Sequence, residues 1–225
     1  MTHQKNQSTE PYAFPQLILT LDVRRPLHLI SLRQIMQTKS FACVIVYDSQ
    51  GDDAFLQKQA QTYADDIQHN DAALLIAGEN RVAERIKADG LHLERDLDAL
   101  KNLKNQNNKQ KIRGFGNVRD RHCAMVAAEA NADYLLFGKL GADKKPHAHA
   151  RNLQLAQWWA EIMETPAIIQ AGSDFETFDE VINTACEFIA VEEIIFTHNN
   201  PLTILKLIKE KCKNFPLLEK RKHPC

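Results

Sequence analysis

Short runs of apolar and β-branched residues recur eight times along the chain, and segments with helical spacing separate them. The alternation predicts βαβ units with parallel strands. Eight such units favour a single-domain α/β fold, a (β/α)8 TIM barrel, over the alternative of an open flavodoxin-like sheet. The runs are QLILTL at Gln16, CVIVY at Cys43, ALLIA at Ala73, GLHL at Gly90, KIRGFG at Lys111, YLLFG at Tyr134, AIIQA at Ala167 and FIAVE at Phe188.

The segments between these runs carry helix signals. In residues 53–69, apolar side chains recur at steps of three and four, which predicts one buried helix face. Asn200 followed by Pro201 is typical of a helix start, and we expect the last helix to run to about Lys211. An internal repeat supports the strand count, because IKADGLHL, EANADYLLF and TACEFIAV each lead from a helix end into a strand.

The length of 225 residues suits one domain with a full core. We expect the barrel to span residues 15–213. The polar residues 1–14 are predicted to form a flexible N-terminal arm, and residues 214–225 a C-terminal tail. The basic stretch EKRKHPC in that tail is too short to specify a nucleic-acid partner.

Charge and composition narrow the classes of partner. The formal net charge of −1 does not indicate a broad nucleic-acid surface. No stretch approaches the roughly 18 apolar residues of a membrane span, and the opening residues do not resemble a secretory signal. The five cysteines form no CxxC pair, as in reducing compartments. These features predict a cytoplasmic protein without a membrane partner, and they are compatible with a homo-oligomer.

With the strand ends aligned, the chain from about Gln16 to Lys211 resembles the thiamine-phosphate synthase and thiazole tautomerase (TenI) family of TIM barrels, as a divergent member. The likeness is clearest between Leu75 and Phe137. There, LLIAGENRVAERIKADGLHLERD and GFGNVRDRHCAMVAAEANADYLLFGK are similar to family stretches in the same order, and AIIQAGS and FIAVEE follow at matching positions.

The resemblance implies a Mg²⁺ ion, which prefers carboxylate oxygens, and phosphorylated small-molecule substrates. Arg81 keeps the arginine of the family's NDR motif, whereas Asn80 replaces its metal-binding aspartate and Glu79 offers a carboxylate beside it. Asp96 is the best candidate for a further metal ligand. We therefore expect Asp96 and Glu79 at the metal, and Glu79, Asn80 and Arg81 at the substrate.

Further phosphate contacts are expected after the sixth and seventh strands. Lys144 or Lys145, in the loop GKLGADKKPHAHA, corresponds to the family's lysine. Gly172 keeps one glycine of the phosphate-binding turn, where backbone N–H groups hold an anion.

Other positions depart from the family pattern. Tyr47 and Asp48 stand near the family's cationic positions after the second strand, and Glu192 or Glu193 falls where the family has a small or hydroxyl residue. A carboxylate about 4 Å from a phosphate is repelled by ~4 kcal/mol per charge pair at an effective dielectric constant near 20. This repulsion should abolish ordinary phosphate binding unless a lysine compensates for it.

No catalytic residue is assigned beyond two candidates, Arg81 and His92. His92 lies near a strand's carboxyl end with Glu94 and Asp96 just beyond it, which suits acid–base chemistry. The alternative is a packed, hydrogen-bonded histidine. For Asp96 the alternative to metal binding is an N-cap of the following helix.

Three functions remain open at this stage. The first is the synthase reaction of thiamin biosynthesis, in which a pyrimidine diphosphate and a thiazole phosphate are joined and diphosphate leaves. The second is a catalytically degenerate barrel that binds a small ligand or a protein. The third is a thiazole tautomerase-like isomerase, which needs an acid–base residue but no diphosphate site.

Overall fold

The computed structural model describes residues 12–27, 29–105, 111–142 and 144–217. These residues form eight parallel strands closed into a barrel in chain order, and this result confirms the predicted fold. The open sheet is wrong, because the last strand pairs with the first from Gln16↔Phe188 to Leu19↔Val191. The strands are β1 (Gln16–Asp22), β2 (Phe41–Tyr47), β3 (Ala73–Ala77), β4 (Gly90–Glu94), β5 (Ile112–Gly116), β6 (Tyr134–Phe137), β7 (Ala167–Gln170) and β8 (Phe188–Val191).

The helices surround this barrel. The helix predicted within 53–69 is confirmed, and its apolar face is buried. Asn200 caps the last helix by accepting a hydrogen bond from the Thr203 N–H at 3.1 Å. The helices are α1 (Leu29–Gln37), α2 (Asp53–Gln68), α3 (Asn80–Arg85), α4 (Leu97–Asn105), α5 (Arg121–Glu129), α6 (Ala150–Ile162), α7 (Asp179–Ile182), α8 (Glu193–Phe196) and α9 (Pro201–Lys213), with a 3₁₀ turn at Phe175–Thr177.

Parts of the predicted arm and tail pack against the barrel. The Tyr12 ring meets the Phe188 ring edge-on at 4.9 Å, and the Leu217 N–H donates to the Ala13 carbonyl at 3.0 Å. Residues 1–11 and 218–225 of the arm and tail lie outside the described residues. Within the described ranges, no helix is long and apolar enough to cross a membrane.

The strands bury side chains on both faces, which explains why their sequences are continuously apolar. In β2, Cys43 and Ile45 belong to the cluster inside the barrel, while Val44 and Val46 belong to the cluster between the sheet and the helices. Because successive residues of a strand point to opposite faces, both layers are packed by one short run.

The internal repeat of the sequence has a structural counterpart at three helix ends. Lys87, Asn131 and Ala185 adopt left-handed backbone conformations, with φ of 55°, 63° and 55°. Each is followed by a small residue and then an acidic one, whose carboxylate accepts a hydrogen bond from the first part of the preceding strand. These bonds join Asp89 to the Leu74 N–H at 2.8 Å, Asp133 to the Arg113 N–H at 2.7 Å and Glu187 to the Ala167 N–H at 2.9 Å.

Two glycines of β5 make room for a pair of polar rings inside the barrel. The His92 and Tyr134 rings are stacked at 5.7 Å, and His92 Nδ1 is hydrogen-bonded to the Tyr134 hydroxyl at 2.8 Å. A Cβ at Gly114 would lie 2.0 Å from the Tyr134 ring, and one at Gly116 would lie 2.4 Å from His92 Nε2. The GFG sequence is therefore required by the two rings.

We expect Gly114→Ala to destabilise the protein by about 1–3 kcal/mol, because the added methyl group would overlap the buried Tyr134 ring. Urea denaturation of the variant measures this loss. The double variant Gly114→Ala with Tyr134→Ala should lose less stability than the sum of the losses in the two single variants, because the overlap between the methyl group and the ring is absent. Full additivity would contradict the proposed contact.

The His92 imidazole makes stability depend on pH. Burial lowers the pKa of His92 to about 3, whereas an unfolded histidine titrates near pH 6.5. Between these values the unfolded chain binds one more proton, so the free energy of unfolding decreases as the pH falls, by up to about 1.4 kcal/mol per pH unit from this residue. In His92→Gln that contribution should be absent. A stability difference between the two proteins that stays constant from about pH 6 to pH 4 would contradict the assignment.

Candidate functional site

A pocket of about 440 Å³ lies at the carboxyl ends of β2, β3, β4 and β6. This end of a parallel barrel is where sites form, because the loops after the strands meet there. Its charged lining consists of Asp48, Glu94, Asp96 and Lys139, and small residues such as Gly78 and Gly141 line much of the rest. We call the opening of the barrel at the carboxyl ends of its strands the mouth. A second pocket of about 400 Å³ lies to the side of the mouth, between the β1–α1 loop and α2.

After β2, Asp48 binds the guanidinium group of Arg24 with both carboxylate oxygens, at 2.8 Å each. The hydrogen bond from Arg24 lowers the pKa of Asp48 below its usual value, so the carboxyl group is ionised at neutral pH. Arg24 also stacks on the Phe55 ring, 3.8 Å from its centre. A cation is therefore present near this corner, but its charge is neutralised by the chain's own carboxylate.

The predicted substrate residues after β3 lie on the surface at the start of α3. Glu79 and Arg81 form an ion pair at 2.5 Å, with half or more of each side chain exposed. The Asn80 side-chain amide donates to Glu84 at 2.9 Å. Gly78 lines the pocket, but none of the three predicted residues does.

Asp96 lines the pocket, but its carboxylate accepts the Ala99 N–H at 2.8 Å at the start of α4. It therefore occupies the N-cap position that was the alternative to metal binding. Glu79, the other predicted metal ligand, is paired with Arg81. The described residues contain no group of three or more histidine, cysteine, aspartate or glutamate side chains placed to share a metal ion. These carboxylates do not fit a Mg²⁺ site, which needs several convergent oxygen ligands.

His92 lies at the bottom of the pocket and is 1% exposed. Its Nε2 atom lies beside Gly116, two residues nearer the mouth than its strand partner Gly114, and has no hydrogen-bond partner among the described residues. With a pKa of about 3, the imidazole is neutral and a weak base at neutral pH. The arrangement matches the packed, hydrogen-bonded alternative.

After β7, the loop that follows β6 covers the predicted phosphate-binding turn. A Cβ at Gly172 would lie 2.0 Å from the Pro146 carbonyl oxygen. The Ser173 N–H donates to the Lys145 carbonyl at 2.8 Å, and the Asp174 N–H donates to the Pro146 carbonyl at 3.2 Å. The amides that follow Gly172 are thus bound to the protein's own backbone, and Lys145 itself is exposed.

At the end of β8, the Glu192 carboxylate is buried in a network of donors from β1 and β2. It accepts hydrogen bonds from the Thr20 hydroxyl at 3.1 Å, the Asp22 N–H at 3.1 Å and the Tyr47 hydroxyl at 2.8 Å, and Arg25 Nη2 lies 3.6 Å away. Burial raises the pKa of Glu192, while the hydrogen bond from Tyr47 opposes that rise. The carboxylate occupies the position for which we predicted repulsion of phosphate.

The neighbouring Glu193 forms an ion pair with Arg25 at 2.5 Å and lies 3.6 Å from Lys144 Nζ. A lysine therefore approaches this carboxylate, which is the condition we gave for offsetting the repulsion between the carboxylate and a phosphate. However, the two cations here face two carboxylates, Glu192 and Glu193, so little net positive charge remains for a phosphate.

Four residues of the mouth were not predicted from the sequence: Arg24, Arg25, Thr20 and Asp22. The signal was present, because VRRP directly follows the first strand and loops after strands form the site in such barrels. Leu140 was missed as well. Its backbone N–H donates to Glu94 at 2.9 Å and ties the β6 loop to β4.

Comparisons with known proteins agree with the barrel fold. The thiamine-phosphate synthase of Erythrobacter litoralis is 30% identical over 131 residues, which cover 57% of this chain and 62% of that relative. The match therefore spans less than two thirds of the relative's length. The enzyme of the same name from Rhodospirillum centenum is 25% identical over 170 residues, covering 75% of this chain and 82% of the relative.

Among solved structures, the thiamine phosphate pyrophosphorylase from Pyrococcus furiosus has a TM-score of 0.70 at 20% identity and covers 88% of this chain and 96% of its own. A 3-hexulose-6-phosphate synthase has a TM-score of 0.63 at 13% identity, and the match covers 87% of this chain and 98% of that protein. At these identities the likeness shows the fold alone.

A family model described as thiamine monophosphate synthase matches residues 24–195. Because that match spans most of the chain, the protein belongs to the thiamine monophosphate synthase family.

Proposed function

We propose that this barrel binds a small molecule without a phosphate group at its carboxyl-end pocket, and that it does not join a pyrimidine diphosphate to a thiazole phosphate. One observation carries the proposal: four cations at this end of the barrel, Arg24, Arg25, Arg81 and Lys144, are already paired with carboxylates of the chain. Arg24 pairs with Asp48, Arg25 with Glu192 and Glu193, Arg81 with Glu79, and Lys144 with Glu193.

The two turns that would hold a phosphate support the same proposal. After β7, carbonyl oxygens of the β6 loop accept the Ser173 and Asp174 N–H groups. After β8, Glu192 accepts the hydrogen bonds that its neighbours offer. A phosphate would have to displace oxygen atoms that belong to the protein, and would bring further negative charge beside the Glu192 and Glu193 carboxylates.

The strengths of these interactions differ, and the buried ones decide the outcome. The Glu79–Arg81 pair is exposed, so breaking it costs about 1 kcal/mol or less. Separating Glu192 from its donors would leave a buried charge without compensation, at a cost of roughly 3–5 kcal/mol. The β8 end is therefore the strongest barrier to a phosphorylated ligand.

Synthase activity is the second candidate, because the Arg81 and Lys144 side chains are 65% and 55% exposed, and ion pairs of such exposed groups cost little to break in favour of a diphosphate. It would need Mg²⁺, for which Asp96 and Glu79 would have to leave their present partners and converge, and it would need Arg81, Lys144, Lys145 and Gly172 near the phosphates. The tautomerase-like function is less supported, since its substrate also carries a phosphate and the pKa of His92, about 3, is poor for proton transfer at neutral pH.

We expect no thiamin phosphate when the purified protein is incubated with the pyrimidine diphosphate, the thiazole phosphate and Mg²⁺. The Erythrobacter litoralis relative, assayed under identical conditions, is the positive control. Chromatography of the product measures the reaction. Product formation at a rate within about tenfold of the control would contradict the proposal.

Pyrophosphate and inorganic phosphate, each with Mg²⁺, should bind only weakly, with Kd above about 1 mM. The arginine and lysine side chains that would contact these anions are already paired with carboxylates of the protein. Titration calorimetry measures this binding in the wild-type protein and in the same relative. A Kd in the low micromolar range for the wild-type protein would mean that the ion pairs of the mouth open readily for an anion.

A further inference from the structure

The surroundings of the Glu192 carboxylate have the composition of an anion receptor. They comprise two hydroxyl groups, a backbone N–H and a guanidinium group, contributed by Thr20, Tyr47, Asp22 and Arg25. Thr20 and Tyr47 are nearly fully buried and lie on strands, so the donors are held rigidly. Such preorganised donors bind oxyanions strongly when water is excluded.

Arg25 supplies a second observation in the same direction. Its Nε atom is buried and has no hydrogen-bond partner among the described residues. The guanidinium group thus retains a donor beyond the contacts that it makes with Glu192 and Glu193. Buried donors are normally satisfied, and an unsatisfied one next to an anion indicates a site that still favours oxygen acceptors.

We propose that Glu192 is an internal anion that occupies an oxyanion-binding site formed by Thr20, the Asp22 N–H, Tyr47 and Arg25, and that this residue determines the exclusion of oxyanionic ligands from this end of the barrel. The inference rests on the proposed function and deepens it, because it names the residue that excludes phosphate and carboxylate groups.

Glu192→Gly tests the inference, because it removes a side chain the size of a short carboxylic acid and leaves the donors in place. Acetate should bind in the vacated space and raise the Tm of the variant in a saturable way, by about 3 °C or more relative to chloride at equal ionic strength. The wild-type protein should show less than about 1 °C of difference between the two salts. Differential scanning fluorimetry measures the shifts, and calorimetry the affinity.

Three variants provide the controls. Glu192→Gln fills the space with a neutral side chain of the same shape, so acetate should not rescue it. In the double variant Glu192→Gly with Tyr47→Phe, one donor is lost and the affinity for acetate should fall about tenfold. Glu187→Gly removes a carboxylate at the opposite end of the barrel that accepts the Ala167 N–H, and it should show no saturable acetate effect.

If Glu192→Gly folds only when acetate is present, that dependence also supports the inference. If it does not fold in either salt, Glu192→Ser is measured in the same way, because its hydroxyl group satisfies one donor. Equal Tm shifts in the wild-type protein and in the folding variant would overturn the inference. The outcome is separable from the synthase assay, since thiamin phosphate formation tests the wild-type protein and acetate binding tests the variant.

Discussion

The pairing of β8 with β1 is the interaction on which the rest of the structure depends. It closes the sheet from Gln16↔Phe188 to Leu19↔Val191 and brings the loops after all eight strands to one mouth. Glu192 extends this closure beyond the strands, because its carboxylate accepts hydrogen bonds from β1 and β2. The Glu192 side chain therefore links β8 to β1 and β2 and places a carboxylate in the mouth.

Convergence of eight loops concentrates charge in a small volume, and the chain balances it locally. The Arg24–Asp48 pair lies after β1 and β2, and the Arg25–Glu193 pair lies after β1 and β8. Opposite charges at these distances attract strongly where water is partly excluded. A ligand with several negative charges would have to compete with these pairs, whereas a neutral ligand in the 440 Å³ pocket would leave them intact.

Most of the fold could be predicted from the sequence because its signals are local. The strand runs, the helical period of residues 53–69 and the Asn200 cap each depend on a few adjacent residues, and each is confirmed. The site depended on partners far apart in the chain. Arg24 and Asp48 are 24 residues apart, and Arg25 and Glu193 are 168 apart. Alignment to a family indicated where charges would lie, but not that they would neutralise one another.

The barrel fold leaves the chemistry of its mouth open. Strands and helices of this kind position a site, and the residues after the strands decide what it binds. Loss of a bound anion would leave buried donors such as the Tyr47 hydroxyl and the Asp22 N–H without acceptors, which costs about 1–3 kcal/mol each. The Glu192 carboxylate supplies those acceptors from within the chain. A mouth that binds no anion therefore needs acceptors for these donors from the chain itself, and Glu192 provides them.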